Sequence, residues 1–133
     1  MKRNSRLSLA LHTLSHMAGD PDRKRTSAQI AEYAGTSPVV VRRVLGRLRE
    51  AGLLVSEKGH AGGWSLARDP CEITLADVYL ALDESLIEAG SEETTAACAV
   101  ERAMHRRITG VMQEIEQSLI ARLRETTIAE MRE

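Results

Sequence analysis

The chain has no phenylalanine, and only Tyr33, Tyr79 and Trp64 are aromatic among its 133 residues. A stacking platform for single-stranded nucleic acid, which needs successive aromatic faces, is therefore not expected. Two cysteines, Cys71 and Cys98, are too few for a disulfide framework or a four-thiolate metal site within one chain. No run of about 18 apolar residues occurs, and no basic-then-apolar leader precedes a cleavage site. Neither a membrane span nor a signal peptide is expected, and the expected location is the cytoplasm. No nucleophile–base pair and no Gly-Lys-Ser phosphate cradle is found, so the expected function is not enzymatic. What is present, 43% hydrophobic and 28% charged residues, suits one soluble globular domain with an appendage.

The net charge of −1 conceals a division. Residues 1–68 hold 12 Lys/Arg against 5 Asp/Glu, whereas residues 69–133 hold 6 against 14. A basic half suits a polyanionic partner, and an acidic half would be repelled by the same partner.

Apolar spacing predicts a mainly α fold with one small β-hairpin. Leu7, Ala10, Leu11, Leu14, Met17 and Ala18 form one helical face, which Gly19-Asp20-Pro21 ends. Thr26 and Gln29 make a capping box for a short second helix with Ile30, Ala31 and Ala34 inward. Ser37-Pro38 is an N-cap followed by proline at the first helical position. It opens a third helix over 38–51 with Val41, Val44, Leu45, Leu48 and Ala51 inward, ended by Gly52. Two short helices joined by a tight turn form a helix-turn-helix. Residues 53–56 and 64–67 are strand candidates around a Gly-rich loop, so that 57–67 form a wing. Thr74 and Asp77 cap a fourth helix with Leu75, Val78, Tyr79 and Leu82 inward.

Residues 1–82 are thus expected to form a winged helix-turn-helix DNA-binding domain with its supporting fourth helix, and 83–133 an acidic loop and dimerisation helices. From about Thr94 to Glu125 a long helix of roughly 45 Å is expected. Its apolar residues Met104, Ile108, Val111, Met112, Ile115, Leu119 and Leu123 recur mostly every four positions, so the stripe precesses. Helices crossing at a homodimer interface follow from that pattern. Thr127 and Glu130 suggest a short final helix from Ile128.

At 100° per residue the outward face of helix 38–51 carries Val39, Arg42, Arg43, Gly46 and Glu50, flanked by Arg47 and Arg49. An exposed mid-helix glycine costs about 1 kcal/mol relative to alanine, and close approach of a DNA backbone gives Gly46 a reason. A guanidinium of Arg42 or Arg43 can bridge guanine O6 and N7, and Val39 can meet a thymine methyl. Ser37 and Arg47 complete the candidate contacts of this helix, with Lys58, His60 and Gly62 on the wing. Arg68 adds a further positive charge beside the wing.

The segments Ser27-Ala28-Gln29-Ile30-Ala31-Glu32, Pro38 to Arg43, Leu48 to Leu53 and Lys58-Gly59-His60-Ala61-Gly62-Gly63-Trp64 to Ala67 resemble the bacterial Rrf-two family of winged-helix transcription regulators. Relatives include the iron-sulfur cluster regulator and the nitric-oxide-sensitive repressor. The wing carries the most specific likeness, with Lys58 where arginine is usual and Trp64 where tyrosine or phenylalanine is usual. The resemblance implies a homodimeric repressor that binds double-stranded DNA at a palindromic operator, with the third helix in the major groove. Alternatives are a cluster- or thiol-based redox-sensing regulator, and a winged-helix protein–protein adaptor without DNA binding.

Cluster-holding relatives carry three closely spaced cysteines after the fourth helix, and residues 83–97 contain none. No cofactor is expected, an iron-sulfur cluster least of all. Cys98 is expected to be a small buried packing residue, with a redox thiol as the alternative, since only Arg102 offers a nearby cation and Glu101 opposes it. His12 and His16, four apart, could chelate a metal, but no third ligand is at hand, so no metal site is expected. The signal, an unidentified small molecule or a redox change, is left open.

Overall fold

In the computed structural model, residues 5–58, 63–82 and 98–132 are described. Helix α1 (Arg6–Gly19) starts at Ser5, whose hydroxyl accepts from Ser8 N. Helix α2 (Ser27–Ala34) has the full Thr26/Gln29 capping box and ends at Gly35 in the left-handed conformation, φ 69°. Helix α3 (Pro38–Glu50) begins at the Ser37 cap. Strands β1 (Leu54–Glu57) and β2 (Gly63–Leu66) pair antiparallel, with Leu54 opposite Leu66 and Glu57 opposite Gly63. Each strand lies one residue from its expected start. A 3₁₀ turn over Pro70–Glu72 leads to helix α4 (Leu75–Ala81), capped reciprocally by Thr74 and Asp77. Helix α5 (Ala99–Leu123) is followed by a short 3₁₀ helix, Ala129–Arg132, one residue after the expected start of the short final helix and behind a reciprocal Thr127/Glu130 capping box. The acidic segment 83–93 and the expected helix start at 94–97 lie outside the described residues.

The core gathers Leu14 and Met17 of α1, Ile30 of α2, Val41, Val44, Leu45 and Leu48 of α3, Leu53, Leu54, Trp64, Ile73, Val78 and Leu82. Ala51 is not part of it. It is the exposed cap residue of α3, because the helix has already ended at Glu50 and Gly52 turns the chain at φ 81°. On α4 the inward residue Ala76 joins Val78 and Tyr79, while Leu75 is half-buried. Ile128 is fully buried: the chain returns after α5 so that Ile128 N donates to Ile73 O at 2.9 Å and Leu75 N to Thr126 O at 2.9 Å.

The wing is bound to the helices by a third edge. Arg25 pairs with Trp64 in both directions, Arg25 N to Trp64 O at 3.2 Å and Trp64 N to Arg25 O at 2.8 Å. Trp64 Nε1 donates to Ser27 Oγ at 2.9 Å, fixing the hairpin to the first residue of α2. The Lys24 side chain pairs with Glu57 of β1. The burial of Trp64 and these bonds hold β2 in place, and the chain's largest side chain is therefore part of the scaffold.

Candidate nucleic-acid interface

Helix α3 is divided along its length. Val41, Val44, Leu45 and Leu48 are buried, whereas Val39, Arg42, Arg43 and Glu50 are exposed, with Gly46 and Arg47 half-buried beside them. Val39 leaves 55% of its surface in solvent on the first turn of the helix. The Ser37 hydroxyl accepts from Val40 N at 3.3 Å, which caps the helix and leaves the O–H free to donate outward. A β-carbon built on Gly46 meets nothing within 4 Å, so the protein's own packing does not demand glycine there.

Other cations near this face have structural partners. Arg49 donates through Nη1 to Ser56 Oγ at 3.0 Å and lies 5.6 Å from the Trp64 ring centroid, a cation–π link between α3 and the hairpin. Arg68 donates to the carbonyls of Gly52 and Ala51, at 3.3 and 3.5 Å, and so covers the C-terminal end of α3. Neither role was visible in the sequence, because each joins residues more than a helical turn apart. Lys58 is exposed at the end of β1. His60 and Gly62 lie outside the described residues.

Helix α5 has no buried residue in 25, and Met104, Ile108, Val111 and Ile115 are at least half exposed. Leu119 and Leu123 are half-buried. Val100 extends the apolar surface by a turn and was not among the expected dimerisation residues. Tyr79 reaches across from α4 to donate to Glu116 Oε1 at 3.1 Å.

Cys98 is exposed, against the expectation of burial, because it is the cap residue ahead of α5. The backbone N–H groups of Glu101 and Val100 face its sulfur and hold its thiol below the ordinary range. Helix-end amides, which the spacing of side-chain cations does not report, supply this effect. Cys71 is exposed too, and the Asp69 carboxylate beside it raises its thiol. His12 and His16 bring their Nε2 atoms within 3.0 Å and sit against the Tyr33 ring.

The family model described as "Iron-dependent Transcriptional regulator" matches residues 3–133. The chain belongs to the Rrf2 family. Among Rrf2-type relatives, the HTH-type transcriptional regulator YwnA of Bacillus subtilis (strain 168) is 33% identical over 117 residues, 87% of this chain and 86% of YwnA. The regulator IscR of Photorhabdus laumondii is 34% identical over 97 residues, 66% of this chain and 58% of IscR. A crystal structure of a DNA-binding protein superposes with a TM-score of 0.78 at 28% identity, covering 97% of this chain and 100% of that one. Rrf2 proteins are transcription regulators and not enzymes, and this member is a DNA-binding transcription regulator of winged-helix fold.

The iron in the family's description does not fit the donors of this Rrf2 chain. Its two cysteines are both exposed and lie on separate elements, and among the described residues no group of three or more His, Cys, Asp or Glu could hold a metal ion. An iron-sulfur cluster needs more thiolate ligands than one chain supplies. Among the described residues no helix is long and apolar enough to cross a membrane.

Proposed function

We propose that the protein is a homodimeric repressor that sets α3 of each subunit in the major groove of a palindromic operator, with the wing alongside. The observation that carries this reading is the outward face of α3, where Val39, Arg42 and Arg43 are exposed and open space surrounds the Gly46 Cα. An arginine can read guanine through two parallel hydrogen bonds, each such pair giving about 1–3 kcal/mol of discrimination. Ser37, Arg47 and Lys58 would bind phosphates on either side, together with His60 and Gly62 of the wing. Residues 1–82 make the DNA-binding unit in this reading, and 83–133 the dimerising one, through the apolar face of α5.

Selection of bound DNA from a random pool, followed by footprinting, tests it. An inverted repeat should emerge, and affinity should fall on the order of 10³ to 10⁵ between 50 and 200 mM salt if 6–10 phosphates are neutralised. Arg42→Ala and Arg43→Ala should each weaken operator binding without changing the dimer mass. Unchanged affinity in both removes α3 from the interface, and negligible salt dependence favours a protein–protein adaptor.

A thiol-based redox signal is the second reading, favoured by the exposed, lowered Cys98 at the start of α5. It requires that peroxide change operator affinity in the wild type and leave Cys98→Ser unaffected.

A further inference from the structure

A cleft of about 440 Å³ between α1 and α2 is lined by His16, Arg23, Arg25, Gln29, Glu32 and Tyr33. It lies outside the recognition face described above, and its chemistry is incomplete. Arg25 is 93% buried, which is rare for an arginine, and among the described residues no carboxylate pairs with it. Its Nη2 donates to the His16 carbonyl at 3.2 Å, but the buried Nη1 has no hydrogen-bond partner among the described residues. The Tyr33 hydroxyl is likewise buried and meets no well-formed hydrogen bond among the described residues, with the Thr13 hydroxyl beside it. Burial raises the Tyr33 phenol, while the charges of Arg25 and Arg23 and the nearby Thr13 hydroxyl act against that rise. Both guanidinium groups therefore bear on one place.

An unsatisfied buried cation is costly, and an arriving acceptor recovers that cost. A guanidinium is matched best by the two oxygens of a carboxylate or phosphate. The cleft also has the size of a small-molecule site. We propose that this cleft binds a small oxyanion, a carboxylate or phosphate group, through Arg25, with Arg23 at its mouth and the Tyr33 hydroxyl as a further donor. Glu32 disfavours a densely charged polyanion, so the ligand carries one such group.

Occupancy has a direct route to the wing. The main chain of Arg25 is hydrogen-bonded to Trp64 in both directions, and Trp64 is fixed to Ser27 at the start of α2. An anion that moves Arg25 thus moves the hairpin edge beside the helix-turn-helix. That coupling rests on the DNA-binding reading, whereas binding in the cleft does not.

Trp64 is the only tryptophan and provides the probe. The full chain is titrated with inorganic phosphate and, separately, with acetate at constant ionic strength, following tryptophan emission and heat of binding. Saturable binding of either is expected, weakened at least tenfold in Arg23→Gln and in Tyr33→Phe, with the melting temperatures of both variants near the wild-type value. Arg25→Met should abolish binding while remaining folded, since it removes a buried charge of which one nitrogen lacks a hydrogen-bond partner among the described residues. If neither anion binds, yet Arg23→Gln and Tyr33→Phe weaken DNA binding and lower its salt slope by about one phosphate, the oxyanion is a DNA phosphodiester and the free ligand is excluded. If neither anion binds and DNA affinity is unchanged in both variants, or if anion binding persists undiminished in all three, the site is refuted. A wild-type protein that ignores DNA but binds an anion would instead refute the repressor reading and leave the cleft standing.

Discussion

A β-carbon built on Gly63 lies 2.8 Å from the carbonyl oxygen of Arg25 and 3.0 Å from its carbonyl carbon, and φ at this glycine is +150°. Both obstacles are backbone, which cannot swing aside as a side chain can. The third glycine of the wing loop is thus required by the third edge of the hairpin. Gly63→Ala should lower stability by roughly 1–3 kcal/mol in urea unfolding, as for other strained backbone positions. An unchanged midpoint would show that the Arg25–Trp64 pairing yields without cost. The two thiols make a second residue-scale prediction. Helix-end amides lower Cys98 and the Asp69 carboxylate raises Cys71, so the Cys98 thiolate forms at lower pH. Because the thiolate is the nucleophile, alkylation by iodoacetamide followed by mass spectrometry should label Cys98 first as pH rises from 6 to 9. Faster labelling of Cys71 at neutral pH would reverse the assignment.

Among the elements, α3 tests structure and function in opposite directions. Open space around Gly46 means that alanine fits, and the propensity difference should stabilise the helix by about 1 kcal/mol. If DNA comes close at this position, the added methyl weakens operator binding while the urea midpoint rises. A stabilised Gly46→Ala protein with wild-type operator affinity would place DNA elsewhere. Such helix features were legible early because they are local. The caps at Thr26, Ser37 and Thr74, and the inward stripe of Val41, Val44, Leu45 and Leu48, follow from spacing within one turn or two. Ala51 failed because the stripe was carried one residue past the point where Gly52 turns the chain. The buried Ile128, the Arg25–Trp64 edge and the cleft against Tyr33 were not legible. The first two join residues far apart in sequence and the cleft depends on how the α1–α2 linker folds back, and no periodicity reports that kind of proximity. The outward arginines of α3 are exposed where the helical wheel put them.

At the scale of the whole molecule, α5 touches α4 through the Tyr79–Glu116 bond but leaves its apolar stripe in solvent. Twenty-five residues at 1.5 Å per residue extend about 37 Å, and none is buried although Val100, Met104, Ile108, Val111 and Ile115 are large and apolar. A contiguous exposed apolar face of this kind marks an interaction surface. In the proposed two-fold dimer each such residue meets its counterpart or a neighbour from the other copy, so every substitution acts twice. Ile115→Glu would therefore place two carboxylates in the apolar seam, at a cost of several kcal/mol unless they are hydrated or neutralised. The expected result by light scattering is a monomer at micromolar concentration, against a dimer for the wild type. Operator affinity should fall with it, because one α3 then grips one half-site without the partner. Arg43→Ala should instead lower affinity at unchanged mass, and that contrast separates loss of reading from loss of assembly. An Ile115→Glu protein of dimer mass would show that the subunits meet through another surface. The basic residues 1–68 would then need a different means of reaching both half-sites together, since the acidic remainder of the chain repels the duplex.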